Sequence, residues 1–298
     1  MRNKIVIGVV AFIVVSLSYF FLYEPDYAGL IQPSSQTLVF AHRGFGNYAP
    51  DNSLLGAQIA MWEGMDGVDV DGQQSLDKEV VIFHDLSVNR LTTATGKVSG
   101  KTVAELISLD LGLKYGEGFE GSFVHTFEDF VRTIPQDGIL MVELKVPGKG
   151  STGIEERAAE IIGKYNAYEK VYLSSFNPLV LRRLKKIDSR IRTVFIFMDS
   201  NWNPELLAEI RPEDLVELPW FLQKEWIRRA LRKIVKPDGL SVNNEVDEKT
   251  IDYLLAKGNP IFLWTIDDES RIRWALAKKP YGLISDEPQL AKKIRDAQ

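Results

Sequence analysis

From about residue 37 to the carboxyl end, short apolar runs alternate with stretches whose apolar residues fall at helical spacing. Thr37–Ala41 reads as a buried strand, Asn52–Gly64 carries Leu54, Leu55, Ile59 and Trp62 at helical spacing, and Gly67–Asp71 is strand-like again. Such a β-α-β rhythm implies a parallel sheet, because parallel neighbours need a crossover connection. Further strands are predicted near Ile139–Leu144, Val171–Ser174, Thr193–Phe197, Gly239–Val242, Ile261–Thr265 and Tyr281–Ile284. With the first two they make eight parallel strands, and the predicted fold is a (β/α)8 TIM barrel. One step breaks the rhythm. Only the polar turn Asp77-Lys78 separates Gln73–Ser75 from Glu79–Phe83, so the second run must return as an antiparallel hairpin. Leu86–Gln136, rich in Thr, Gly and charge, then reads as an insertion above the barrel, spanning about 73–136 with the hairpin.

The amino end is a different kind of element. Ile5–Tyr23 is 19 residues without a charge, preceded by Arg2 and Lys4 and followed by Glu24 and Asp26. As a helix it is long enough for the ~30 Å hydrocarbon layer of a bilayer. The preceding positive charges predict a cytoplasmic amino end and a domain outside the cytoplasm or in a lumen. The competing reading is a cleaved signal peptide, but Ser16 and Ser18 lie inside the run and no A-x-A site follows. The expected organisation is a single-pass transmembrane anchor at 1–24, a Pro- and Ser-containing linker at 25–36, and the barrel at 37–298.

Composition narrows the function. A chain of 298 residues with 45% hydrophobic content can fill one large barrel core. A net charge of -5 argues against a general nucleic-acid binder. The absence of cysteine excludes a lipoprotein anchor, a thiolate zinc site and a cysteine nucleophile.

Charged groups close the apolar runs, and the carboxyl ends of strands are where a TIM barrel collects its chemistry. Asp69 and Asp71 stand two apart on a strand and share a face, as do Glu143 and Lys145. Asp69, Asp71 and Glu143 would form an oxygen cage for a hard divalent cation, Mg2+ or Ca2+. Lys145 and the planar fork of Arg43 would bind phosphate oxygens. His42 and His84 are the candidate acid and base, whereas His125 has no partner motif and reads as surface or packing. The bland alternatives are two solvated turn aspartates, an exposed Glu-x-Lys pair and structural histidines. Trp264 serves equally as an apolar wall of a substrate pocket or as barrel packing. Between Leu218 and Lys233, Trp220, Phe221 and Trp226 adjoin Arg228, Arg229, Arg232 and Lys233, which suits either a membrane interface or an amphipathic barrel helix with a charged outer face.

The run Ala41-His42-Arg43-Gly44, then Pro50-Asp51-Asn52-Ser53, Asp69-Val70-Asp71, His84-Asp85 and Glu143-Leu144-Lys145, resembles the glycerophosphodiester phosphodiesterase family, whose pattern is HRG, PENT, ExD, HD and ExK. Ser174-Ser175-Phe176, Trp264-Thr265 and Ser285-Asp286-Glu287-Pro288 also match family-like positions. Asp51 and Asp69 stand where the family has Glu, keeping the charge on an arm one methylene shorter. The resemblance implies metal-dependent hydrolysis of a glycerophosphodiester to glycerol 3-phosphate and an alcohol. In family terms the substrate's own hydroxyl attacks phosphorus, one histidine acts as base and the other protonates the leaving alcohol. Asp51 and Asn52 would brace the first loop and cap its helix. The alternatives are a lysophospholipase D acting on membrane lysolipids, and a barrel that binds a phosphodiester with weakened turnover.

Overall fold

β1 (Leu38–His42) pairs parallel with β2 (Gly67–Gln74), His42 lying opposite Asp69, and β2 pairs parallel with β4 (Ile139–Leu144), Asp71 lying opposite Glu143. The register thus brings four of the predicted chemical positions to one sheet end. This computed structural model describes all residues except 1, 25, 28, 147, 149 and 200–219, and of residues 2–5 and 21–22 the backbone alone. β5 (Val171–Ser175), β6 (Arg192–Phe197), β7 (Gly239–Asn243), β8 (Ile261–Trp264) and β9 (Gly282–Ser285) continue the sheet in parallel. β9 pairs with β1, so the eight parallel strands close as the apolar rhythm predicts. β3 (Val80–Ile82) lies antiparallel on β2, the predicted hairpin.

Side-chain alternation along each strand makes two cores. Phe40, Met141, Tyr172, Val194, Phe262 and Ile284 fill the barrel interior, and the opposite strand faces meet the outer helices through Val39, Val68, Leu140 and Leu173. The interior is tight where Phe40 crosses it. A Cβ on Gly67 would meet the Ile139 carbonyl oxygen at 2.6 Å, so only glycine fits there.

Each parallel strand leads into an outer helix: α2 (Leu54–Trp62) follows β1, α5 (Phe127–Thr133) follows the β2–β3 hairpin, α6 (Ile154–Lys164) follows β4 and α7 (Pro178–Ile187) follows β5. α8 (Glu225–Val235), α9 (Glu248–Ala256), α10 (Glu269–Ala277) and α11 (Pro288–Asp296) complete the ring. The predicted insertion therefore ends earlier than residue 136. α5 buries Phe127, Phe130 and Val131 in the main core and starts from a capping box between Thr126 and Asp129, so it is a barrel helix. The insertion proper has a small core of its own around Val81, Phe83, Val88, Val98, Leu106, Leu111 and Val124, and carries the short helices α3 (Val103–Leu106) and α4 (Gly112–Tyr115).

The amino end departs from its expected form. A helix, α1, does run from Arg2 to Leu22, and every side chain from Val6 to Phe20 is exposed. Among the described residues, however, no helix is long and apolar enough to cross a membrane, so the predicted transmembrane span finds no support there. The following segment packs on the foot of the barrel where a loose linker was expected. The Tyr27 hydroxyl donates to the Asp238 carbonyl at 2.5 Å, the Leu30 N–H donates to Asp238 Oδ1 at 3.0 Å, and Ile31, 1% exposed, plugs the barrel interior. Ile31→Ala is accordingly expected to cost about 2–4 kcal/mol, read as a lower denaturant midpoint; an unchanged midpoint would mean that the segment is only draped on the surface.

Candidate active site

The first loop is bent to present its charge inward. After β1 the chain turns through Arg43 at φ 49° and Gly44 at φ 82°, and the Gly44 N–H donates to the Asp69 carbonyl at 3.1 Å. A non-glycine residue in the left-handed region is a strained choice, and such strain gathers at functional sites. Ser53, rather than Asp51 or Asn52, caps α2, its hydroxyl accepting from the Gly56 N–H at 3.0 Å. Asn52 instead braces β2: its amide donates to Asp71 Oδ2 at 3.0 Å and its oxygen accepts from the Asp71 N–H at 2.8 Å.

The two motif histidines are held in opposite ways. His42 Nδ1 lies 2.8 Å from Asp286 Oδ1. Burial pulls the His42 pKa down, but the hydrogen bond and charge of Asp286 outweigh it, so the pKa is raised and the imidazolium is favoured. His84 Nε2 lies 3.1 Å from Arg43 Nη2, and Nδ1 lies 2.8 Å from Asp85 Oδ1. A guanidinium only donates, so Nε2 accepts and Nδ1 carries the proton that Asp85 receives. Burial, with the positive charges of Arg43 and Lys145, lowers the His84 pKa to about 4 and keeps the ring neutral.

The carboxylates are unequal as well. Lys145 Nζ sits 3.1 Å from Asp71 Oδ1, and although burial alone would raise its pKa, the nearby positive charges hold Asp71 ionised. Asp69 and Glu143 make no ion pair among the described residues. Burial first, then the neighbouring carboxylates, pushes Asp69 up to about 8 and Glu143 up to about 7. Two carboxyls left short of positive charge beside a third is the chemistry of a hard-cation site. The cage is not preformed: among the described residues no group of three His, Cys, Asp or Glu side chains is drawn together to hold an ion. The reason is visible in the Lys145–Asp71 pair, which takes one of the three donors and places the Lys145 ammonium where a free phosphate-binding group was expected.

The sequence pattern of the glycerophosphoryl diester phosphodiesterase family matches residues 42–290, a stretch that contains every group just described. The chain belongs to that family. Among its relatives are the glycerophosphodiester phosphodiesterase of Caldanaerobacter subterraneus, 29% identical over 85% of this chain and 96% of the relative, and that of Bacillus altitudinis, 28% identical over 87% and 98%. The barrel is similar to that of an Oleispira antarctica phosphodiesterase solved in complex with the product sn-glycerol-3-phosphate, with a TM-score of 0.72, 25% identity and coverage of 88% of this chain and 97% of that one. It shares its fold with a glycerophosphodiester phosphodiesterase of Agrobacterium tumefaciens, with a TM-score of 0.67, 19% identity and coverage of 87% and 100%.

At the mouth of this glycerophosphodiester phosphodiesterase barrel, the donors Arg43 Nε, Ser174 Oγ and Trp264 Nε1 are buried without hydrogen-bond partners among the described residues. A buried donor without an acceptor costs roughly 1–3 kcal/mol, a penalty that an oxygen-rich ligand can remove. Ser174, two residues on from the inward Tyr172, shares its face and pairs opposite Glu143, and Trp264 shares the face of the inward Phe262. Trp264 also packs edge-on against Phe176 with ring centres 5.9 Å apart. His125 is partly exposed, and its ring Nδ1 lies 2.8 Å from the Phe123 carbonyl oxygen.

Sequence reasoning left Asp286, Asp85 and Arg90 without roles. Asp286 and Asp85 sit in quoted motifs, so proximity to a motif was a usable signal for them. Arg90 is one of several charges in a loop-rich stretch and carries no local signal. The aromatic and basic stretch is reassigned in part. Leu218 lies outside the described residues, and Trp220, Phe221 and Trp226 are exposed. Arg228 and Arg232 are buried, however, in pairs with Asp199 at 2.7 Å, with Glu225 at 3.0 and 2.6 Å respectively, and with Glu24. The charged outer face expected of α8 is therefore turned partly inward.

Proposed function

We propose that this chain hydrolyses glycerophosphodiesters, releasing sn-glycerol 3-phosphate and an alcohol. The observation that carries the reading is a neutral histidine and a protonation-prone histidine at one barrel mouth, joined through an arginine able to bind phosphate. His84 Nε2 accepts the proton of a glycerol hydroxyl as that oxygen attacks phosphorus. His42, charged through Asp286, gives its proton to the departing alcohol. The attack closes a cyclic phosphate, which water then opens with the histidines in exchanged roles. Arg43 moves its donors from His84 to nonbridging phosphate oxygens, which frees the Nε2 lone pair, and Lys145 adds a point charge. Asp69, Asp71 and Glu143 would hold a divalent cation, Mg2+ or Ca2+, which when bound offsets phosphate charge and acidifies the attacking hydroxyl. Trp264 would wall the pocket beside the alcohol.

The test is release of glycerol 3-phosphate from glycerophosphocholine by the purified chain with a divalent cation. Lysophosphatidylcholine in vesicles serves as the second substrate. Faster turnover of the vesicle lipid would favour the lysophospholipase D reading, for which the exposed apolar α1 is the supporting feature. No release from either substrate would leave only a binding barrel.

We further infer that the full apolar run Ile5–Tyr23, which includes residues whose side chains lie outside the described ones, holds the enzyme at a membrane, amino end cytoplasmic and barrel on the other side. Support comes from Arg2 and Lys4 before the apolar run, and from apolar side chains exposed on every side of the helix. Membranes washed in alkali should retain the protein, and protease added to intact cells should remove the barrel. Recovery in the soluble fraction with a new amino terminus near residues 24–36 would show a cleaved signal peptide instead, and protection from protease would reverse the orientation.

A further inference from the structure

Five side chains at the mouth close into a ring. Arg43 Nη2 reaches His84 Nε2 at 3.1 Å, His84 Nδ1 reaches Asp85 Oδ1 at 2.8 Å, and Arg90 grips Asp85 with Nε on Oδ2 at 2.7 Å and Nη2 on Oδ1 at 3.0 Å. Arg90 Nη2 also donates to Asp51 Oδ2 at 3.1 Å, and the same oxygen accepts from Arg43 Nη1 at 3.1 Å. Arg90 thus stands at the far side of the ring from the reacting groups and touches both arms that hold them.

We propose that Arg90 is a positioning residue for turnover, aiming His84 through Asp85 and Arg43 through Asp51. This rests on the reading above in which His84 moves a proton. An imidazole can turn about its ring bond, and what stops it is the carboxylate on Nδ1. That carboxylate needs holding in turn, and a two-point guanidinium contact fixes its plane where a single contact leaves it free to rotate. Asp85 is 8% exposed and its charge is favoured by bonds from both His84 and Arg90. Asp51 adds a second constraint. Its arm is short, and Arg90 spans the distance to it from the insertion, so that one guanidinium sets the spacing between the two arms.

The insertion holds Arg90 in place. Thr92 bonds the Val88 carbonyl through its N–H at 3.1 Å and its hydroxyl at 2.8 Å, and Val88 lies in the insertion's own core. The small core above the barrel therefore has a purpose at the mouth: it carries a cation to the back of the His84 arm. The Arg90 side chain is 36% exposed, so its loss removes little packing.

Arg90→Ala, Arg90→Lys and Asp85→Asn, singly and with Arg90→Ala and Asp85→Asn combined, would be assayed in the full chain with glycerophosphocholine and a divalent cation, alongside His84→Ala and thermal unfolding. Arg90→Ala is expected to lower kcat by about 10- to 100-fold, the scale of a small misplacement of a reacting group, with KM within about threefold. Arg90→Lys should restore part of kcat, since one ammonium cannot hold both carboxylates. In the double variant the two losses should fail to add, because both act on His84. A parental kcat in Arg90→Ala, a loss confined to KM, or additive losses would each overturn the proposal. If Arg90→Ala fails to fold, the kcat of Arg90→Lys decides: a parental value there ends the idea. His84→Ala separates the two failures. Retained rate in His84→Ala would remove the reading beneath the proposal, whereas lost rate there with parental Arg90→Ala would remove the proposal alone.

Discussion

His84→Ala is expected to lower kcat by about 10²- to 10⁴-fold against every substrate, with the barrel still folded. The ring is half-buried, its Nε2 lone pair is committed to Arg43 until substrate arrives, and its pKa of about 4 keeps it unprotonated across the neutral range. A proton acceptor of that kind is needed whatever the leaving alcohol. His42→Ala should behave differently. Its raised pKa, owed to Asp286, fits a proton donor, and a donor matters only when the leaving group needs a proton. With choline or another aliphatic alcohol the loss should match that of His84→Ala, and with a nitrophenol leaving group most of it should vanish. Turnover of the aliphatic and nitrophenyl diesters by both variants decides the assignment. The opposite pattern would exchange the two roles, and near-parental rates in either variant would remove that histidine from proton transfer.

Chelation should abolish turnover, and Asp71→Asn should raise the cation requirement steeply. Asp69 at about 8 and Glu143 at about 7 hold protons near neutrality that a cation must displace. Cation affinity should therefore rise with pH between roughly 6 and 8, by up to about tenfold per unit for each proton released. Binding must also draw Asp71 from Lys145, whose ammonium is then free for phosphate. Calorimetry of Mg2+ and of Ca2+ binding in buffers of differing ionisation enthalpy reads the proton release directly. Full activity in excess chelator, with metal absent by elemental analysis, would sink the cation's role, and pH-independent affinity would sink the part given to Asp69 and Glu143.

Local periodicity by itself determined much of this protein. A strand or a barrel helix has to bury one face, and that requirement is written into neighbouring residues, so the closed barrel and the β2–β3 hairpin were legible from the apolar runs. The same period of two placed Asp69 with Asp71, and Glu143 with Lys145, at strand ends. Tertiary structure decided what those groups do to one another. Asp286 reaches His42 from 244 residues away, and Arg90 reaches Asp51 across 39. No local pattern encodes such distances, because a charge carries no period and finds its partner only once the barrel has closed. Lys145 pairs with Asp71 across adjacent strands for the same reason: in a buried mouth the nearest opposite charge wins over an absent ligand. The segment after α1 reads as a tether because Pro25, Pro33 and the polar Ser34-Ser35-Gln36 stretch carry no strand or helix period, yet the open foot of the barrel offers Ile31 an apolar hole and Tyr27 a carbonyl. A single side chain can fill such a hole only after eight strands have built it, so that docking belongs to the fold and not to the local sequence.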